Sequence, residues 1–240
     1  MLEAAFWGLV TASSLLLGAA VALLLRPGER VVALIMAFGA GTLIAAVSYE
    51  LVLEGFETSE TGAALGFAAG CLAFYGGDRL IASRGGARRK SMRHDLPPPP
   101  AAATAIVLGT VLDGIPESFV LGASLQSGGA VPIAVVVGVF VANVPESLSA
   151  TIGLREAGWP GRRLMTMWTG VVLVSVAAAA IGWWALDATD QAEGAFALGF
   201  AGGALLVMVA NTLIPEALEH GRREAGLFVA LGFAFGFALS

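Results

Sequence analysis

The sequence predicts an all-α membrane protein of eight transmembrane helices, with inverted-repeat character and both termini outside. Three observations predict it. The first is composition: 57% of the 240 residues are hydrophobic, 13% are charged, and the mean hydropathy is +0.83. A soluble domain is about half apolar and a quarter charged, so some half of the usual charges have been exchanged for apolar residues. The second is eight apolar runs, at 4–25, 31–53, 62–82, 103–126, 131–154, 164–186, 194–218 and 225–240. Most hold about 20 residues or slightly more, enough at about 1.5 Å per residue to cross a hydrocarbon core of about 30 Å. The third is charge order. All 13 Lys and Arg fall on one side of the eight-span arrangement. Cytoplasmic loops collect such residues, so that side is read as cytoplasmic.

Span one opens with Glu3 and ends before Arg26 and Arg30, so it reads as a span rather than a signal peptide, which would begin with basic residues. Span two is followed by Glu54, Glu57 and Glu60 on the acidic, outer side. Span three holds Cys71, the single cysteine, read as a small buried hydrophobe; one thiol excludes an internal disulfide. The segment 83–100 carries Arg84, Arg88, Arg89, Lys90 and Arg93 and is the basic cytoplasmic loop of a single domain spanning 1–240. Its charge reads as a topological anchor rather than a nucleic-acid surface, and its His94 as solvated. The prolines at 97–100 fix the start of span four, since proline is excluded from helix interiors. A short hairpin, Gln126 to Ala130, makes spans four and five antiparallel neighbours. Arg155, Arg162 and Arg163 follow span five; Asp187, Asp190 and Glu193 follow span six; Arg222 and Arg223 follow span seven. Span eight is short, since 16 residues reach about 24 Å, and it must start within the preceding loop, tilt little or span a thinned bilayer. The 32 glycines suit closely approaching membrane helices.

Segment 41–54 of span two aligns without gaps to segment 203–216 of span seven, with Gly, Leu, Val, Leu and Glu coincident. The two spans run in opposite directions in this topology, the arrangement of an inverted repeat in secondary transporters.

Five acidic residues fall within or near the ends of the spans: Glu50, Asp113, Glu117, Glu146 and Glu216. A carboxylate at the bilayer centre costs at least about 2.5–3.5 kcal/mol, so each needs a reason to be there. Glu50 and Glu216 lie near span ends, where water or snorkelling relieves the cost. The other three do not. Span four reads Asp113-Gly-Ile-Pro-Glu117-Ser118 and span five reads Asn143-Val-Pro-Glu146-Ser147. Asp113 and Glu117 are four apart and Asn143 and Glu146 three apart, so each pair shares a helix face. Counting from the hairpin tip sets Asp113 level with 143–146. Pro116 and Pro145 free the carbonyls of Leu112 and Val141, which add oxygen donors at membrane depth. Three carboxylates, an amide and loose carbonyls suit a divalent cation. The bland alternative is a set of protonated acids that hydrogen-bond the two helices together.

These residues resemble the signature of the ZIP (Zrt/Irt-like) divalent metal transporters, which carry His-Asn-x-Pro-Glu-Gly in span four and a related His/Gln-Asn/Asp-x-Pro-Glu-Gly in span five. Asp113-Gly114-Ile115-Pro116-Glu117-Ser118 and Ala142-Asn143-Val144-Pro145-Glu146-Ser147 occupy those places. The likeness departs from the signature at Asp113, Gly114, Ala142 and both serines, and span six holds no acid to support a second ion. It implies a transporter moving a divalent metal (Zn, Fe, Mn or similar) towards the cytoplasm, with Asp113, Glu117, Asn143 and Glu146 as the metal site. It also implies no prosthetic group, a lipid-embedded chain that forms a homodimer, and no nucleic-acid partner. The expected location is a bacterial plasma (inner) membrane. The rival transport reading is a metal-independent carrier coupled to protons or organic ions. An enzyme is set aside: an intramembrane metallohydrolase wants histidine ligands and an open position, while His94 and His220 lie outside the spans and no base accompanies Ser118 or Ser147.

Overall fold

The computed structural model describes residues 1–25, 27–83, 100–127, 131, 133–187 and 190–240. His94, nearly all of the basic loop and the tip of the 126–130 hairpin lie outside these residues. Among the described residues the protein is all helical, with no strand. It is an all-α membrane protein.

Seven helical stretches are named here in chain order. They are α1 (Leu2–Leu24), α2 (Glu29–Thr58), α3 (Glu60–Ala82), α4 (Pro100–Ser127), α5 (Ile133–Glu156), α6 (Gly161–Asp187) and α7 (Gln191–Met208). From α7 the chain continues through a π-helical turn, Val209–Leu213, into α8 (Ile214–Leu239). Six stretches are long and apolar enough to cross a membrane: 2–24, 29–58, 106–126, 133–156, 161–186 and 191–239. The last holds 49 residues, but it is no straight rod. Arg222 breaks it at φ 53°, ψ −142°, a backbone setting that a non-glycine residue seldom adopts. Beyond the break, Gly232 and Gly236 pack on Phe38 and Thr42, whereas Gly221 packs near Ala33 and Leu34, so 223–239 climbs α2 from its first turns upward. The 23-residue α3 equals α1 in length yet is not among the six. Its glycines and the pair Asp78, Arg79 lower its apolarity. Those glycines have another use: Gly62, Gly66 and Gly70 abut Ala192, Phe196 and Phe200 of α7.

Helices pair as α2 with α8, α3 with α7, α4 with α6, and α1 with α5 and α6. The repeat suggested by segments 41–54 and 203–216 reappears in this packing. Gly41 stands against the Val229 carbonyl and Gly203 against the Phe67 carbonyl, each with no room for a Cβ. The offset separating Gly41 from Gly203 also separates Phe67 from Val229. It separates Gly70 from Gly232, and Phe38 from Phe200 as well, and Gly70 abuts the Phe200 carbonyl as Gly232 abuts that of Phe38. Small residues at matching places thus build two matching helix crossings. Both copies also contain a π-helical turn, Val47–Leu53 and Val209–Leu213.

One boundary differs from expectation. The sequence places Glu54 and Glu57 in an outer loop, whereas α2 runs on through both to Thr58. Only Ser59 separates α2 from α3, and its hydroxyl accepts from the Gly62 N–H at 3.3 Å. That cap satisfies an orphan donor of α3 and makes a longer loop unnecessary.

Candidate functional site

α4 and α5 are continuous helices through Pro116 and Pro145, and they carry the four residues singled out by the sequence. All four are buried: Asp113 and Glu117 at 1% exposure, Asn143 at 4% and Glu146 at 5%. Ser118 and Ser147 are buried beside them. Each proline removes one intrahelical N–H, and neighbouring hydroxyls take part in the local bonding. Ser147 Oγ reaches the carbonyls of Asn143 (2.8 Å) and Val144 (3.1 Å), a back-bond that satisfies a hydroxyl in an apolar setting.

The two helices are not packed on each other alone. α1 lies against both, and it meets α5 at Asn143, Val144 and Ser147. Asn143 Nδ2 donates to the Thr11 carbonyl at 3.4 Å, and Gly18 abuts the Val144 carbonyl and Ser147 hydroxyl. On another side, a Cβ at Gly39 of α2 would stand 2.9 Å from the Ala142 backbone nitrogen. That contact explains Gly39: a side chain there would drive into the α5 backbone at Ala142. From α6, Ser175 Oγ would sit 3.4 Å from a Cβ at Gly114.

Thr11, Gly18, Gly39 and Ser175 therefore border the site, and the sequence reading did not single them out. A signal existed for the first. Thr11 and Ser14 are polar residues three apart in span one, and both are buried.

The span-end acids go to different places. Glu50, in the first π-helical turn, meets the backbone N–H groups of Ala134 and Val135 in the first turn of α5, and the side chain of Ser240. Glu216 lies one turn before His220. The ligand atoms of Glu216, Glu219 and His220 all fall within 4.8 Å of one another; among the described residues this is the one such set of His, Cys, Asp or Glu.

Asp113, Glu117 and Glu146 do not form such a set, but the buried residues on α4 and α5 are oxygen-rich and acidic. Hard or borderline divalent cations prefer such donors. No protein-family profile matches the chain, and no curated protein matches it either.

Proposed function

We propose that the protein carries a divalent metal cation across the membrane towards the cytoplasm, in the manner of the ZIP transporters it resembles. In this reading the chain crosses eight times with both termini outside. α3 supplies a span, and the break at Arg222 divides the last 49 residues into two. Spans two and seven are halves of an inverted repeat, and a homodimer belongs to the same reading. Asp113, Glu117, Asn143 and Glu146 hold the ion in transit.

One observation carries the proposal. Three carboxylates and an amide, on two proline-bearing helices, are 95% or more buried in a protein whose surroundings are apolar. Burying three carboxylates is costly, and a cation bound among them offsets that cost. Replacing the family's histidine by Asp113 hardens the site, so broader metal selectivity is expected, with Zn still bound tightly by intrinsic affinity.

The test is uptake into proteoliposomes across Zn, Fe, Mn, Co, Cd and Mg. Metal-dependent uptake should appear, and Glu117→Gln and Glu146→Gln should each reduce it at least tenfold while the protein stays folded. Parent-rate uptake in both variants, or flux that ignores the metals, would sink the proposal. The second outcome points to a proton- or organic-ion-coupled carrier.

A further inference from the structure

At the end of the bundle where α2 begins, His220 sits with its side chain only 9% exposed, among carboxylates from two helices. Its Nδ1 faces Glu216 Oε1 at 3.5 Å and the Glu216 carbonyl at 3.4 Å. Its Nε2 faces Glu29 Oε2, across from α2, at 4.0 Å, too far for a hydrogen bond. Glu219 completes the group, with its ligand atom within 4.8 Å of those of Glu216 and His220. The spacing has a local cause. Residues 216, 219 and 220 are three and four apart on one helix, so they share a face. Pro215 opens that helix and Arg222 ends its regular course. Arg30, beside Glu29 in sequence, is committed elsewhere, to Glu224 at 2.7 Å.

We infer that Glu216, Glu219 and His220 form a second divalent-metal site, with Glu29 on the far imidazole nitrogen as its orienting carboxylate. Ligand atoms bound to one ion at about 2.0–2.2 Å stand some 3–4 Å apart, the separation seen between Nδ1 and Glu216 Oε1. A metal-bound imidazole commonly turns its other nitrogen to a carboxylate, which fixes the ring and raises its basicity. One imidazole with two carboxylates favours Zn, Co or Ni over Mg or Ca. Three protein ligands, with Glu219 exposed, leave positions for water, so the ion exchanges rather than staying as a structural fixture.

The site differs in kind from the one on α4 and α5, because it has a nitrogen donor and lies on the side where the basic residues cluster. If the proposed transport reading is right, an ion leaving towards the cytoplasm meets it. The site itself does not depend on that reading.

The test uses the full chain in detergent, stripped of metal, in a Glu117→Gln/Glu146→Gln background. Calorimetric titration with Zn, and visible absorption with Co, should show about one ion per chain and a spectrum typical of mixed nitrogen and oxygen ligation. His220→Ala and Glu219→Gln should each weaken Zn binding at least tenfold. Glu219 is exposed, so its variant remains informative if His220→Ala disturbs folding. Glu224→Gln, outside the group, should leave affinity unchanged. Parent affinity in both site variants, or a loss just as large in Glu224→Gln, would overturn the inference. Because the background lacks two of the three mid-membrane acids, absence of metal uptake in liposomes leaves this readout intact.

Discussion

Two ends of the molecule invite comparison, because the repeat offset maps one onto the other. Glu54, Glu57 and Thr58 at the end of α2 correspond to Glu216, Glu219 and His220 in α8. The backbones are used alike. Thr58 Oγ1 donates to the Glu54 carbonyl at 2.9 Å, and His220 Nδ1 stands 3.4 Å from the Glu216 carbonyl. The facing residues correspond too. Glu29 faces His220, and its counterpart by offset, Gln191, lines a cavity of about 220 Å³ together with Glu54, Thr58, Gln126 and Asp190. The same frame therefore carries a hydroxyl and an amide at one end, and an imidazole and a carboxylate at the other. Architecture is duplicated while chemistry is not. On the proposed transport reading, an imidazole at one of these two ends and a hydroxyl at the other make the two sides of the membrane unequal for a transition metal.

The largest expected effect comes from breaking the shared frame. Gly41→Leu and Gly203→Leu each push side-chain atoms into a carbonyl of the facing helix, Val229 and Phe67 respectively. Overpacking of this kind costs about 1–3 kcal/mol and more where backbone must move. Both variants should melt well below the parent in a detergent thermal-shift assay, by similar amounts. Gly76, with nothing within 4 Å of its would-be Cβ, should accept Ala with little change. A harmless Gly203→Leu beside a ruinous Gly41→Leu would mean that the two crossings are not equivalent.

A smaller effect, but a sharper one, comes from exchanging the chemistry within the frame. In a His220→Thr background that also carries Glu117→Gln and Glu146→Gln, Thr58→His should restore Zn binding, because Glu54 and Glu57 stand where Glu216 and Glu219 do. At least a tenfold gain in Zn affinity over the Thr58 parent is expected by calorimetry. The gain should fade as pH falls towards 5, since protons compete for imidazole and carboxylate ligands. No gain at neutral pH, with the variant folded, would show that the two ends differ in more than their side chains.

Much of this was legible in the sequence. The apolar runs lie on helices, and six helical stretches among the described residues are long and apolar enough to cross a membrane, because a span needs apolar length and little else. The echo of five coincident residues marked segments that pack through matching glycines. The four buried polar residues of the Pro-Glu motifs stood out because membranes make polarity conspicuous. What stayed hidden depended on the third dimension. Thr11 joins the site only because Gly18 lets α1 close on α5. His220 looked like a loop residue because span seven was ended at 218, whereas the helix continues to Arg222 and brings His220 onto the face of Glu216. A boundary error of a few residues at a helix end separates a solvated histidine from a buried one.

The smallest expected effect concerns Glu50 and again compares the repeats. At the corresponding place in the second copy, Thr212 returns its hydroxyl to the Met208 carbonyl of its own helix. Glu50 instead extends to the first turn of α5, where Ala134 and Val135 present N–H groups that have no intrahelical partner. A carboxylate there satisfies the donors and opposes the positive end of the helix dipole, worth about 0.3–1 kcal/mol and up to about 2 in a partly buried setting. Gln keeps an acceptor oxygen and loses the charge, and Ala loses both. Thermal stability should therefore fall in the order Glu50, Gln, Ala, by about 1 kcal/mol at the first step and more at the second. Thr212→Val should cost less than either, since it removes a neutral hydroxyl that back-bonds its own helix rather than a charge set against a helix terminus. Metal uptake should stay within twofold of the parent in Glu50→Gln, because the residue holds the helix that bears Asn143 and Glu146 and does not hold the ion. If Glu50→Gln keeps its melting temperature and yet loses uptake as Glu117→Gln is expected to, then Glu50 acts on the cargo and its place at the head of α5 is incidental.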